Sequence, residues 1–246
     1  MINSMGNKIY LSFLGIFLIV GLLSFDWKTE TSTKVKDRAN TAPVVLLKSN
    51  STKALYDELA IQTKGHDFRV FQKALRGYLH LEATDSSTLR KPLVTVIDFS
   101  KPSSEKRFWV INLETKEILF STWVAHGQGS GQSLATSFSN ELNSYKSSLG
   151  FYKTGEVYYG KHGRSLKLDG LDKGVNDQAR RRSVVVHGAD YVSQEFIDKT
   201  GRLGRSQGCP ALPINLSQQV IDTIKGETLL FIYGQDDTYF SDLLKV

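Results

Sequence analysis

The stretch Ser183-Val184-Val185-Val186-His187-Gly188-Ala189, followed by Gly201-Arg202-Leu203-Gly204-Arg205-Ser206-Gln207-Gly208-Cys209-Pro210-Ala211-Leu212, decides how this chain is read. It holds the only cysteine of the 246 residues. The β-branched run before His187 favours a strand, so the histidine is expected at a strand end and Cys209 on a later loop. Gly201, Gly204 and Gly208 allow that loop tight or left-handed turns. Arg202 and Arg205 are expected to place positive charge near the sulfur, a setting that favours thiolate. On these residues alone two readings stand. One is a small buried thiol with a polar loop histidine; the other is a nucleophilic Cys–His pair.

Working outward, short runs of β-branched and aromatic residues recur from residue 93 onward. Strands are expected at 93–98, 107–112, 117–124, 150–153, 157–159, 165–168, 183–186 and 228–233, with helical pieces at 193–199 and 216–225. Many short strands with Gly-rich connections predict a mainly β fold, a sandwich or half-barrel with a few peripheral helices. Before it, Phe68, Phe71, Ala74, Leu75, Tyr78 and Leu79 recur at helical spacing, so residues 52–83 read as a short helical N-terminal lead-in. Residues 26–51 are polar, without periodicity, and read as a tether. Lys8 precedes a chargeless apolar run over residues 9–25. That pattern is a signal sequence or an N-terminal membrane anchor, placing the bulk of the protein outside the cytoplasm.

Composition narrows the function classes. The chain is 40% hydrophobic and 23% charged, as a globular domain is, and carries a net charge of +6. Its cations are scattered apart from Arg180-Arg181-Arg182, which reads as a solvated run, and no basic motif is interleaved with aromatics. A nucleic-acid partner is therefore not expected. One cysteine excludes an intrachain disulfide. The glycines at 127, 129 and 131 lack the lysine of a phosphate loop. Cys209, His187 and His126 lack the fourth ligand or close-spaced pair of a zinc site, so neither metal nor cofactor is expected.

The pairing of a strand-ending His187-Gly188 with Ser206-Gln207-Gly208-Cys209 resembles the signature of the L,D-transpeptidases, the YkuD-type catalytic domain, and within it the murein branch. Val124-Ala125-His126-Gly127, Ser147-Ser148-Leu149-Gly150-Phe151-Tyr152, Leu168-Asp169-Gly170-Leu171, Asn176-Asp177 and Arg182 extend the resemblance over residues 93–233. The chain departs from the commoner pattern at Gln207 and Pro210. The resemblance implies a YkuD-type β fold over residues 93–246. It implies thioester chemistry on peptidoglycan stem peptides, with acyl transfer from meso-diaminopimelate to an amine and release of D-alanine.

Residue by residue, the resemblance implies Cys209 as nucleophile, His187 as base and the Gly188 carbonyl as the group orienting the imidazole. Asp190 is a rival for that last role. The backbone N–H groups of Gly208 and Cys209 would hold the oxyanion. Arg205 either binds a substrate carboxylate or covers the loop; Ser206 either bonds His187 or caps the turn; His126 either lines the cleft or positions a loop. Two further functions stay open: an L,D-carboxypeptidase or endopeptidase with the same site, and a non-catalytic wall-binding module.

Overall fold

Alternation along the strands creates two apolar faces, and the fold is the way both are covered. A computed structural model of the chain describes residues 49–60 and 65–245, all within one compact unit. The strands are β1 (Leu93–Asp98), β2 (Phe108–Asn112), β3 (Glu117–Thr122), β4 (Gly150–Gly160), β5 (Gly163–Gly170), β6 (Val185–Ala189), β7 (Ala211–Pro213) and β8 (Leu229–Tyr233). They form one mixed sheet in the order β3-β2-β1-β8-β4-β5-β6-β7. The pairs β1–β8 and β6–β7 are parallel, and the other neighbours are antiparallel. Beyond β3 the chain returns to the far edge, where Ala125 and Ala211 exchange backbone bonds of 2.8 and 3.3 Å. That bridge nearly closes the sheet into a barrel, the half-barrel form expected from the strand pattern.

Val94, Val96, Trp109, Ile111, Phe151, Leu229 and Phe231 face outward onto α1 (Ser49–Glu58) and α2 (Phe68–Thr84). The intervening residues Ile97, Phe108, Val110, Tyr152, Leu230 and Ile232 face the barrel interior. There they meet Val220, Ile221 and Ile224 of α4 (Ile214–Ile224). The period of two in the strands is thus partitioned between two cores. The short α3 (Gln194–Thr200) is capped by Ser193 and ended by left-handed Gly201.

Several boundaries differ from those the sequence predicts. The lead-in is a pair of helices, and the first begins at Ser49, inside the stretch read as tether. The strands expected at 150–153 and 157–159 are one strand, β4, with a bulge between Thr154 and Val157. β6 starts two residues later than expected and runs past His187, placing the histidine inside a strand. β7 was not foreseen, being a three-residue Ala-Leu-Pro strand at the sheet edge. The apolar run at 9–25 and the tether up to residue 48 lie outside the described residues. Among the described residues no helix is long and apolar enough to cross a membrane.

Helix α2 lies against the sheet at Gly77. A Cβ there would stand 2.2 Å from the Phe151 ring. That ring is buried and stacked on Phe231 at 4.4 Å, so it cannot swing aside. Glycine costs a helix about 1 kcal/mol relative to alanine, yet overpacking a filled core costs about 1–3 kcal/mol. Gly77→Ala is therefore expected to destabilise the protein in urea unfolding, against its helix propensity. Adding Phe151→Leu is expected to make the Gly77→Ala step less costly.

Candidate active site

The Cys209 loop is built from both ends of the barrel seam. After Gly201, Leu203 plugs a small apolar cluster with Ala125, Val192 and Ala211, and its N–H donates to Ser103 Oγ at 3.1 Å. Gly204 sits against Tyr191, where a Cβ would lie 2.4 Å from the Tyr191 Cβ. The Ser206 N–H donates to the His126 carbonyl at 2.9 Å, and the Gln128 N–H to the Ser206 carbonyl at 2.8 Å. Ser147 stitches the two segments: its hydroxyl accepts from the Gly127 N–H and donates to the Gly208 carbonyl, each at 3.0 Å. Gly208 adopts φ 124°, and a Cβ there would stand 2.8 Å from the Lys146 carbonyl oxygen. Conformation and space both require glycine before the cysteine.

Cys209 lies just before β7, whose Ala211 is in register with His187 on β6. Its Sγ accepts from the Val185 N–H at 3.4 Å and donates to the Ser183 carbonyl at 3.6 Å. Val185 and His187 are two apart on β6, so their side chains point to one face of that strand. The imidazole is buried, and its Nδ1 stands 2.9 Å from the Gly188 carbonyl oxygen. A carbonyl only accepts, so Nδ1 carries the proton and Nε2 keeps the lone pair that a base needs. Gly188 is tightly set, since a Cβ would meet Ser217 Oγ of α4 at 2.5 Å.

Electrostatics at the sulfur differ from the sequence expectation. Burial pushes the Cys209 thiol up, opposed by the Val185 N–H and by the charge of Arg182. Arg202 and Arg205 do not supply that charge. Arg202 bonds the Leu203 carbonyl at 2.6 Å. Arg205 bonds the Gly131 carbonyl at 3.0 Å and the Gln128 carbonyl at 3.3 Å, so it braces the loop. Within the arginine run, Arg180 pairs with Glu156 and Asp169. Arg182 turns inward to the Ser139 and Lys146 carbonyls and to the hydroxyls of Ser144 and Ser148. The reading of the run as solvated is thereby corrected at Arg182, while Arg180 and Arg181 are exposed. Tyr191, also missed, is near enough for a Cys209 thiolate to help push its phenol up to about 12, after burial.

Four further readings are narrowed. Ser206 caps the turn, with its hydroxyl accepting from the Gly208 N–H at 3.0 Å and donating to the Cys209 carbonyl at 2.6 Å; it does not bond His187. The Gly208 N–H is thus already engaged. His126 is fully buried rather than in a cleft. Its Nδ1 accepts from Arg107 Nη2 at 2.8 Å, and burial followed by the Arg107 charge brings its pKa down to about 3. Asp190 engages the Tyr191 N–H at 2.7 Å, which leaves the Gly188 carbonyl as the group on the imidazole.

A family model described as the L,D-transpeptidase catalytic domain matches residues 62–233, so the match takes in α2 as well as the sheet. A search of curated protein sequences finds no match. Among solved structures, the chain is similar to an L,D-transpeptidase from Mycobacterium smegmatis, at 12% identity and TM-score 0.36, covering 58% of this chain and 59% of that one. It is similar to an L,D-transpeptidase from Stackebrandtia nassauensis at 13% identity and TM-score 0.36, covering 77% and 78%. It is also similar to the helical cell shape determining protein Pgp2 from Campylobacter jejuni at 12% identity and TM-score 0.40, covering 65% and 56%. The chain spans about three fifths of the length of the mycobacterial protein.

If Arg182 supplies the charge felt by the sulfur, Arg182→Gln raises the pH midpoint of Cys209 alkylation. Arg182→Lys, which keeps the charge but not the fork, lies between that variant and wild type. Arg202→Gln leaves the midpoint in place. The opposite pattern, a shift with Arg202 and none with Arg182, would contradict the assignment.

Proposed function

From the premise that this chain belongs to the L,D-transpeptidase catalytic domain family, we propose that it is a cysteine-dependent peptidoglycan L,D-transpeptidase. The observation that carries the reading is the shared strand: Cys209 Sγ is held on the Val185 N–H of β6, which also presents His187, whose Nδ1 is committed to Gly188. His187 Nε2 takes the thiol proton, and the sulfur attacks the carbonyl carbon of meso-diaminopimelate in a stem tetrapeptide. A C–S bond forms, and the oxyanion faces the Cys209 N–H. The C–N bond to D-alanine breaks as His187 returns the proton to the departing amine. A second stem's amine then attacks the thioester, loses a proton to His187 and expels the thiolate, which is reprotonated. Water in place of that amine gives carboxypeptidase or endopeptidase action from the same intermediate.

A raised thiol pKa is compatible with this cycle when proton transfer accompanies attack. The thiol rests neutral in its pocket, and the imidazole, kept neutral by burial, is free to receive the proton. The substrate lies in the cell envelope, so the reading requires export; the apolar run at 9–25 would supply the signal, with or without retention as an inner-membrane anchor.

The test is incubation of the protein with purified tetrapeptide muropeptides, with products identified by mass. Cross-linked dimers are expected from transfer, and tripeptides from hydrolysis. Cys209→Ala and Cys209→Ser are expected to form neither while keeping the wild-type circular dichroism. His187→Ala is expected to lose about 10²–10⁴ in rate, the scale of a positioned acid–base group. Normal turnover by Cys209→Ala would overturn the assignment; an inert thiol with retained wall binding would leave a binding module.

A further inference from the structure

The tip of the β4–β5 hairpin bends over the proposed base. Gly160 and Gly163 pair across it, so Lys161 and His162 form a two-residue turn, with Gly163 at φ 71°. The His162 ring stacks on His187 with centroids 4.4 Å apart and planes 23° from parallel. Directly across from His187 on β5 stands Ser165, whose small side chain leaves the imidazole face open to the returning turn. His162 is exposed, whereas His187 retains 1% of its accessible surface.

We infer that His162 is a positioning residue for His187, a ring lid that holds the base in place and, when protonated, keeps it neutral. The inference rests on the reading of His187 as the base. Two stacked imidazoles resist carrying two protons at once. Burial lowers the His187 pKa first, and the His162 charge lowers it further. Other charged groups on the packed elements do not replace this effect. Arg164 of β5 is paired with Asp222 of α4. Lys161 shares the turn, and Arg182 acts on Cys209.

The His187 titration can be followed by NMR of the imidazole ring protons, independently of turnover, in wild type, His162→Phe and His162→Ala. Loss of the charge is expected to raise the His187 midpoint by about half a pH unit, as a water-screened like charge at this separation would require. His162→Ala, which also uncovers the ring, is expected to shift it further. In muropeptide turnover, the acid limb of kcat/KM is expected to move up in both variants. The loss in kcat is expected to be larger in His162→Ala and partly rescued in His162→Phe, which restores a ring over the base. An unmoved His187 midpoint in both variants overturns the inference. A midpoint that moves while His187→Ala turns over normally would instead reject His187 as base and leave the stacked pair standing.

Discussion

A buried guanidinium holds the seam on which the site is hung. Arg107 is fully buried, and it feels the charge of Asp98. Its Nε and Nη2 donate to the Val124 carbonyl, Nη1 to the Lys101 carbonyl and Nη2 to His126. Burial pulls its pKa down to about 9, so it remains charged at neutral pH. A buried charge of this kind is tolerable only while its donors stay satisfied, and removing an acceptor would leave it unpaired at a cost of several kcal/mol. The segment 124–126 therefore has one low-energy position. From it hang the Ala125–Ala211 bridge that nearly closes the barrel and the His126–Ser206 bond that seats the cysteine loop.

The same logic explains the thiol. The loop half-buries Cys209, which by itself favours the neutral form. Against this the protein sets a backbone N–H from Val185 and the nearby guanidinium of Arg182. Arg182 also ties the 139–148 segment to the turn before β6, so one side chain both shapes the pocket wall and supplies its charge. Ser183, at φ 55°, ends that turn and presents its carbonyl to Sγ. Site electrostatics and site architecture are therefore carried by the same few groups.

Much of this was legible in the sequence, for physical reasons that differ by element. β1 and β8 are runs of branched and aromatic residues bounded by polar ones, and their limits were read to within a residue. The sequence suggests a Cys–His pair because a lone cysteine beside glycines and a histidine closing a β-branched run are each unusual in context. Arg182 was misread because its neighbours Arg180 and Arg181 look like a solvated run; only the tertiary fold turns the third arginine inward. Arg202 and Arg205 were misassigned for the converse reason, since closeness in sequence to Cys209 does not stop their side chains from turning to the Leu203, Gln128 and Gly131 carbonyls. His162 carries no local signal: in Gly160-Lys161-His162-Gly163 it reads as a turn residue, and the stack arises only because β5 pairs with β6. Of the two roles open to His126, cleft lining and loop positioning, its geometry favours the second: its carbonyl takes the Ser206 N–H while its side chain points to Arg107.

The central claim is that Cys209 itself carries the acyl group. Intact-protein mass spectrometry after brief exposure to a tetrapeptide substrate, followed by peptide mapping, tests this most directly. The account predicts a mass gain equal to the tetrapeptide substrate less its terminal D-alanine, mapped to the peptide containing Cys209 and released by hydroxylamine. Turnover without any such adduct, together with full activity after Cys209 is alkylated, or an adduct mapped to another residue, would contradict it.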